Sequence, residues 1–259
     1  MIDFHNHVVP KIDDGSKSSK MSLEMLRKSY EDGIKTIINT VHFQHPKMDF
    51  LNTEYEYIIE QTKKIEKLAN NNGIKVKLES YAEVYYQSNL VDLIDNPLIT
   101  ISSKYMLIEF HPLLIPNDID NVFYELETNG ITPIIAHPER YLKVQQNIDI
   151  AKSWVDKGYI LQINCGSIIG NFGLNVQNIA FNLINNGLCH IIGSDAHNIR
   201  RNFCLKEASQ KLLQIYGSEI VEIVNKNSYR ICNGEAVDYV PATDTKKSFF
   251  NRLSTLFKK

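Results

Sequence analysis

The stretch Glu127-Thr128-Asn129-Gly130-Ile131-Thr132-Pro133-Ile134-Ile135-Ala136-His137 holds one structural unit of the chain in eleven residues. It runs from the end of an amphipathic segment through a glycine into a short apolar β-branched run, and it stops at an ionisable side chain. Glycine readily takes the left-handed conformation that closes a helix, so Asn129-Gly130-Ile131 reads as an α-to-β turn. The same punctuation recurs at Asp32-Gly33-Ile34, Asn72-Gly73-Ile74, Lys157-Gly158-Tyr159 and Asn186-Gly187-Leu188. Working outward, strands are expected in the run ending at His5 and over 34–41, 74–84, 105–110, 131–136, 159–163 and 188–192. Apolar residues at i, i+3 and i+4 predict helices over 22–32, 53–71, 118–129, 148–157, 176–186 and 202–216.

Strands that alternate with helices imply a parallel sheet, and seven such units in a 259-residue chain favour a closed or nearly closed barrel. An open doubly wound sheet is the alternative. Its dinucleotide-binding form is disfavoured because no glycine-rich phosphate loop follows the first strand. The expected organisation is one barrel domain over 1–240, then a linker and basic amphipathic tail over 241–259. In that tail Phe249, Phe250, Leu253, Leu256 and Phe257 share one helical face, with Lys246, Lys247, Arg252, Lys258 and Lys259 around it. Such a segment either docks on its own barrel or contacts a membrane surface or partner through 246–259.

Composition narrows the function classes. The chain is 43% hydrophobic and 22% charged, with a net charge of −2, which offers no basic face for nucleic acid. The four cysteines, Cys165, Cys189, Cys204 and Cys232, form no CxxC pair, so neither a disulfide framework nor a thiolate zinc site is expected. Met1 leads directly into Ile2-Asp3-Phe4-His5 without a secretory pattern, and no apolar run is long enough to span a bilayer. A cytoplasmic location follows as the expectation, with the tail as its one route to the inner face of a membrane.

In an α/β barrel, side chains at the C-terminal ends of the strands meet in one mouth. Here those ends carry His5 and His7, His42, Glu83, Glu109, His137, and Asp195 with His197, while Asp14 lies in the loop after the first strand. Taken singly each has a bland reading: a satisfied core histidine, a strand-edge carboxylate, or a helix cap for Asp195. Together they are harder to dismiss, since a carboxylate ending a buried strand is costly unless paired or metal-bound. These nine ligands exceed the needs of one ion and suit two or three. Imidazole and carboxylate without thiolate favour manganese, iron or zinc. His45, His111 and His190 are assigned to structural roles. Arg140 follows one ligand, and Arg200 and Arg201 follow another. Guanidinium groups match phosphate oxygens bidentately, so a phosphorylated substrate is expected.

The ordered set His5-Asn6-His7, Ile12-Asp13-Asp14-Gly15, His42, Ala82-Glu83, Ile108-Glu109-Phe110, Ala136-His137-Pro138-Glu139-Arg140-Tyr141 and Ser194-Asp195-Ala196-His197-Asn198 resembles the PHP (polymerase and histidinol phosphatase) superfamily. Within it, the pattern is most similar to the bacterial CpsB/CapC/YwqE group of manganese-dependent protein tyrosine phosphatases. The resemblance covers about residues 1–235 and extends to Gln162-Ile163-Asn164-Cys165-Gly166-Ser167. It implies a distorted seven-stranded (β/α) TIM-like barrel, the PHP fold, holding three divalent ions, with manganese first and iron, zinc or magnesium as alternatives.

Carried over by position, the resemblance gives one ion His5, His7, Glu83 and Asp195. A second takes Glu83, Glu109 and His137, and a third Asp14, His42 and His197. Arg140 binds phosphate, together with Arg201 or Arg200. The chain departs from the group's pattern at Thr40-Val41-His42-Phe43, where a His-His pair is usual, and in the spacing of the late arginines. The implied reaction is hydrolysis of phosphotyrosine by a metal-activated hydroxide. The implied partner is a phosphotyrosine protein, a cognate bacterial tyrosine kinase above all, in the regulation of capsule or exopolysaccharide synthesis. The alternatives are a histidinol-phosphate or other small phosphomonoester phosphatase, a metal-dependent amidohydrolase, or a non-catalytic metal-binding docking module. Oligomeric state is not legible.

Overall fold

The computed structural model describes residues 1–48 and 53–242. Seven strands form one parallel sheet in sequence order: β1 Ile2–Asn6, β2 Thr36–Phe43, β3 Lys77–Tyr85, β4 Tyr105–Glu109, β5 Thr132–Ala136, β6 Ile160–Asn164 and β7 Ile191–Gly193. Each strand pairs in parallel with the next. Between and after them run α1 Ser19–Glu31, α2 Tyr55–Asn71, α3 Ile119–Thr128, α4 Leu142–Gln146, α5 Asp149–Asp156, α6 Cys165–Ile169, α7 Leu174–Asn185, α8 Leu205–Tyr216 and α9 Ser218–Cys232. The helix expected within 246–259 lies outside the described residues.

The barrel nearly closes where β1 meets the segment after β7. Asp195 N–H donates to His5 O at 2.7 Å, and His7 N–H donates to Ala196 O at 2.8 Å. Asp3 staples the same seam by accepting from Ser194 N at 2.8 Å and Ser194 Oγ at 2.6 Å.

Strand side chains alternate between two cores. Ile38, Leu107, Ile134, Ile160 and Ile191 fill the barrel interior with Phe4 and Tyr105. Ile37, Ile108, Ile135, Leu161 and Ile192 pack outward with the helices. This two-sided burial explains why the strands read as apolar runs without a polar face. The five glycines expected to close helices all have positive φ, between 72° and 91°.

Two features correct the sequence expectation. Strand boundaries shift by one to three residues, most visibly at the seventh, which begins at Ile191. Helix α9 was not anticipated, because Ile220, Val221, Ile223 and Val224 are β-branched and weaken a helical pattern. It forms because Ile220 and Val224 are buried in the outer core and Ile231 in the barrel-interior cluster. Its end closes the floor: Ser102 Oγ, Lys104 Nζ and Tyr105 Oη donate to the carbonyls of Cys232, Gly234 and Glu235 at 2.5, 3.0 and 2.5 Å.

Candidate metal centre

At the opposite end, eight of the nine expected ligands are buried, and Asp14 is exposed at the rim. Glu83 is the hub. Its Oε2 lies 3.1 Å from His5 Nε2, 3.4 Å from His7 Nε2 and 3.3 Å from His42 Nδ1, and its Oε1 lies 3.0 Å from His137 Nε2. Asp14 Oδ1 sits 3.4 Å from His42 Nε2 and 3.3 Å from His197 Nε2. Glu109 Oε1 is 2.9 Å from His42 Nδ1, and its Oε2 is 4.0 Å from His137 Nε2.

Three overlapping groups have ligand atoms close enough to share an ion: His7, Asp14, His42 and His197; His5, His7 and Glu83; and His42, Glu83 and Glu109. In these groups His7 joins Asp14, His42 and His197, and His42 joins Glu83 and Glu109, while His137 Nε2 keeps its place 3.0 Å from Glu83 and 4.0 Å from Glu109.

Asp195 divides its two oxygens between two tasks. Oδ1 faces His5, His7 and His197 at 3.7, 3.6 and 3.3 Å. Oδ2 accepts from Asn164 Nδ2 at 2.6 Å and Arg140 Nη1 at 2.9 Å, and it pairs with Arg201 as well. Arg200, by contrast, is exposed outside the mouth.

Electrostatics divides the ligands sharply. Burial disfavours charge on His42, yet the Glu83 carboxylate, aided by Asp14 and Glu109, holds its pKa up to about 10. Burial also opposes charge on Glu83, and the surrounding histidines reverse this and keep it well below the usual carboxylate range. For Asp195 the opposing charge is first Arg201 and then His5. Burial and the neighbouring Arg140 cation lower His137 to about 4, leaving it neutral at physiological pH.

The donor set fits divalent cations. His42 Nδ1, Glu109 Oε1 and His137 Nδ1 are buried without a hydrogen-bond partner among the described residues. The first two are only 2.9 Å apart, yet they do not meet as a hydrogen bond. Potential ligand atoms left unsatisfied in a buried cluster are costly in a protein alone and natural around a metal.

Several supporting residues carried no individual signal in the sequence. Asp13 Oδ2 contacts His7 Nδ1 at 2.7 Å, and Gln162 Oε1 contacts His5 Nδ1 at 2.9 Å. Each thereby directs the other ring nitrogen, Nε2, toward Glu83. Glu139 is fully buried, accepts from Asn164 N and Ser167 Oγ, and has its pKa pushed up to about 7 by burial. Two glycines allow the rings to crowd: a Cβ on Gly193 would come within 2.6 Å of His5 Cβ, and one on Gly15 within 2.4 Å of His7 Cβ. His137 and Asp195 hold φ of 34° and 52°, a left-handed conformation that non-glycine residues adopt mainly where surrounding structure enforces it.

The mouth is a cavity of about 380 Å³ walled by seven of the nine candidate ligands with Arg140, Arg201, Tyr85, Phe110 and Lys47, while His5 and His7 are fully buried and reach Glu83 without lining it. His45 and His111 also line it, and His45 Nε2 is 3.9 Å from Glu109 Oε1. His190 lies at the other end, before β7. Among the described residues no helix is long and apolar enough to cross a membrane.

Comparison with known proteins places this geometry among relatives. Residues 1–233 match the model of the family described as capsular polysaccharide synthesis, CpsB/CapC. The CapC protein of Staphylococcus aureus is 34% identical over 98% of this chain and 100% of its own length. The tyrosine-protein phosphatase YwqE of Bacillus subtilis is 32% identical over 95% of this chain and 97% of its own. A crystal structure from work on YwqE of Bacillus subtilis and CpsB of Streptococcus pneumoniae, described there as metal-dependent tyrosine phosphatases, superposes with a TM-score of 0.88. Its sequence identity is 31%, and the match covers 94% of this chain and 98% of that one.

Proposed function

This chain belongs to the CpsB/CapC family of capsular polysaccharide synthesis, and from that membership we propose that it is a metal-dependent phosphatase acting on phosphotyrosine in proteins. The observation that carries the reading is the convergence of Asp14, His42, Glu83, Glu109, His137, Asp195 and His197 on one cavity that also presents two arginines, with His5 and His7 joined to it through Glu83. In the proposal these nine residues hold three divalent ions, manganese first, with iron, zinc and magnesium as competitors. Bound there, the ions would supply Lewis acidity toward phosphate oxygens and a water made nucleophilic near neutral pH.

The chain's own contribution is orientation and charge. Asp13 and Gln162 fix the rings of His7 and His5 so that each keeps an Nε2 lone pair toward Glu83. Arg140 and Arg201 both rest on Asp195 Oδ2 beside the cavity. In the proposed reaction they turn to equatorial phosphate oxygens, where charge is concentrated in the transition state. Phe172 lies against both, 5.0 Å from Arg140 Cζ and 5.5 Å from Arg201 Cζ, and it limits how far either can swing. Arg200 stands apart from the reacting phosphate.

A thiol mechanism finds little support. Cys165 is fully buried, and burial, with Cys204 beside it, raises its pKa well above that of a free thiol. A cognate tyrosine kinase is the proposed partner protein, and the proposed site of action is the cytoplasm, with the 246–259 tail as a contact to the inner membrane face or to that partner.

The test is reconstitution of chelated protein with manganese, iron, zinc or magnesium, assayed on phosphotyrosine peptide, phosphoserine peptide and histidinol phosphate. Hydrolysis should appear with manganese, and phosphotyrosine peptide should be the preferred substrate. Activity confined to histidinol phosphate, or absent with every metal, would contradict the proposal.

A further inference from the structure

Beside the mouth lies a second depression of about 360 Å³, bounded by Asn171, Phe172, Arg200, Arg201 and Asn202. It shares Arg201 with the mouth, and Phe172 forms the ridge against both Arg140 and Arg201. Its chemistry is opposite to that of the metal cavity. The mouth is lined by four carboxylates, Asp14, Glu83, Glu109 and Asp195. The depression has none among its lining residues, but it has two guanidinium groups and two amide side chains.

The two arginines are not equally committed. Arg201 is tied to Asp195. Arg200 is exposed, and among the described residues its guanidinium has no carboxylate within ion-pair distance; its backbone N–H donates to Asn198 Oδ1 at 3.0 Å. Asn202 spends its Oδ1 on Phe203 N at 2.7 Å, which leaves its amide N–H₂ as a donor. Donors without acceptors, in a recess open to solvent, form an anion site.

We propose that this depression is a substrate subsite that takes an acidic side chain, carboxylate or phosphate, lying close in sequence to the phosphotyrosine, with Arg200 as its specificity-determining residue. The inference rests on the phosphotyrosine phosphatase reading. A peptide whose phosphotyrosine enters the mouth must leave it across a rim, and three extended residues span about 10 Å. The shared wall at Arg201, with Phe172 packed against Arg140 and Arg201, puts the depression next to that exit. Arg200 thus gains a role distinct from that of Arg140 and Arg201: it reads the flank and leaves the reacting phosphate to them.

The experiment uses the full manganese-loaded chain and phosphotyrosine peptides that carry Ala, Asp, phosphoserine or Lys at each position within three residues of the phosphotyrosine. The wild type should favour Asp or phosphoserine over Ala at one flank by about threefold to tenfold in kcat/KM, expressed mainly in KM, the range of a partly exposed charge-assisted contact. The Asp and phosphoserine arms tell which anion the subsite prefers. Arg200→Glu should invert the order, so that the Lys peptide becomes the best of the series at that flank. That gain cannot arise from misfolding. Equal turnover of all peptides by the wild type, or an unchanged order in Arg200→Glu, would overturn the proposal. A proportional loss by Arg200→Glu on every peptide and on free phosphotyrosine would overturn it too, because it would put Arg200 on the reacting phosphate. Failure of the wild type on every phosphotyrosine substrate would contradict the phosphatase reading beneath it.

Discussion

The two ends of the barrel solve opposite problems with the same residue types. At the mouth, His42 is buried among Glu83, Asp14 and Glu109, and its pKa rises to about 10. At the floor, His190 is buried without an acidic neighbour, and burial alone drops it to about 4. The floor histidine is held as a neutral group: its Nδ1 accepts from Leu161 N at 3.1 Å, Tyr239 packs edge-on against the ring, and its Nε2 is left without a hydrogen-bond partner among the described residues. The floor as a whole is closed by hydrogen bonds to backbone carbonyls and by Ile231. The mouth, by contrast, buries carboxylates among its histidines and arginines, a donor set that suits divalent cations. Burial by itself therefore says little about a histidine. What matters is whether carboxylates are buried with it.

The contrast can be broken most severely at Glu83, the hub of the mouth. Glu83→Gln should lose bound metal and lower phosphotyrosine turnover on the order of 10³-fold, the size expected when the main electrostatic support of a site is removed. The far-ultraviolet circular dichroism spectrum should stay that of the wild type. Metal content by plasma mass spectrometry alongside turnover reads the result, and full activity without metal loss would remove Glu83 from the centre. At the floor the equivalent cut is Ile231→Ala. Deleting that buried side chain should cost about 2–5 kcal/mol in chemical denaturation, with turnover per folded molecule unchanged.

The histidine comparison makes a pH prediction. His190 has a folded-state pKa of about 4 against 6.5 when unfolded, so the unfolded chain binds the extra proton first. Its stabilising contribution is present above pH 6.5 and is lost as pH falls toward 4, about 3 kcal/mol in all. Stability curves of the wild type and His190→Gln should converge across that window, and parallel curves would contradict the assignment. The smallest effect belongs to the supporting shell of the mouth. Asp13→Asn keeps a hydrogen-bonding group near His7 Nδ1 but removes the charge, and it should weaken manganese binding about 10–100-fold, measured by calorimetry.

How far the sequence could be read follows from the kind of information each feature needs. The strands were legible because β-branched apolar runs and helix-closing glycines are local signals. The ligands could be collected because a parallel barrel brings all its strand ends to one mouth. Helix α9 was not legible, since its Ile and Val residues favour strands locally and only packing on the barrel decides otherwise. The sequence offers Asp13 and Asp14 as equals. Adjacent carboxylates cannot be told apart until the turn shows one bonded to His7 and the other at the rim.

The aim of the His5 ring is equally hidden in the sequence. Ile2 and Phe4 join the barrel interior, so strict alternation would turn His5 away, yet His5 reaches Glu83. The pairing of β1 with β2 shifts register between Asp3 and Asn6, where such an irregularity can re-aim side chains. Arg200 and Arg201 were indistinguishable as neighbours in sequence, and only the fold sends one to Asp195 and the other to the outer depression.

The central claim is that the charged mouth is a metal centre and that this centre does the chemistry. Its most direct test is a titration of chelated wild-type protein with manganese, following bound metal equivalents and phosphotyrosine hydrolysis in the same samples. The account predicts no hydrolysis without metal, and activity that saturates together with metal binding near three equivalents. Hydrolysis at full rate by metal-free protein, or saturated metal binding without any hydrolysis, would contradict it.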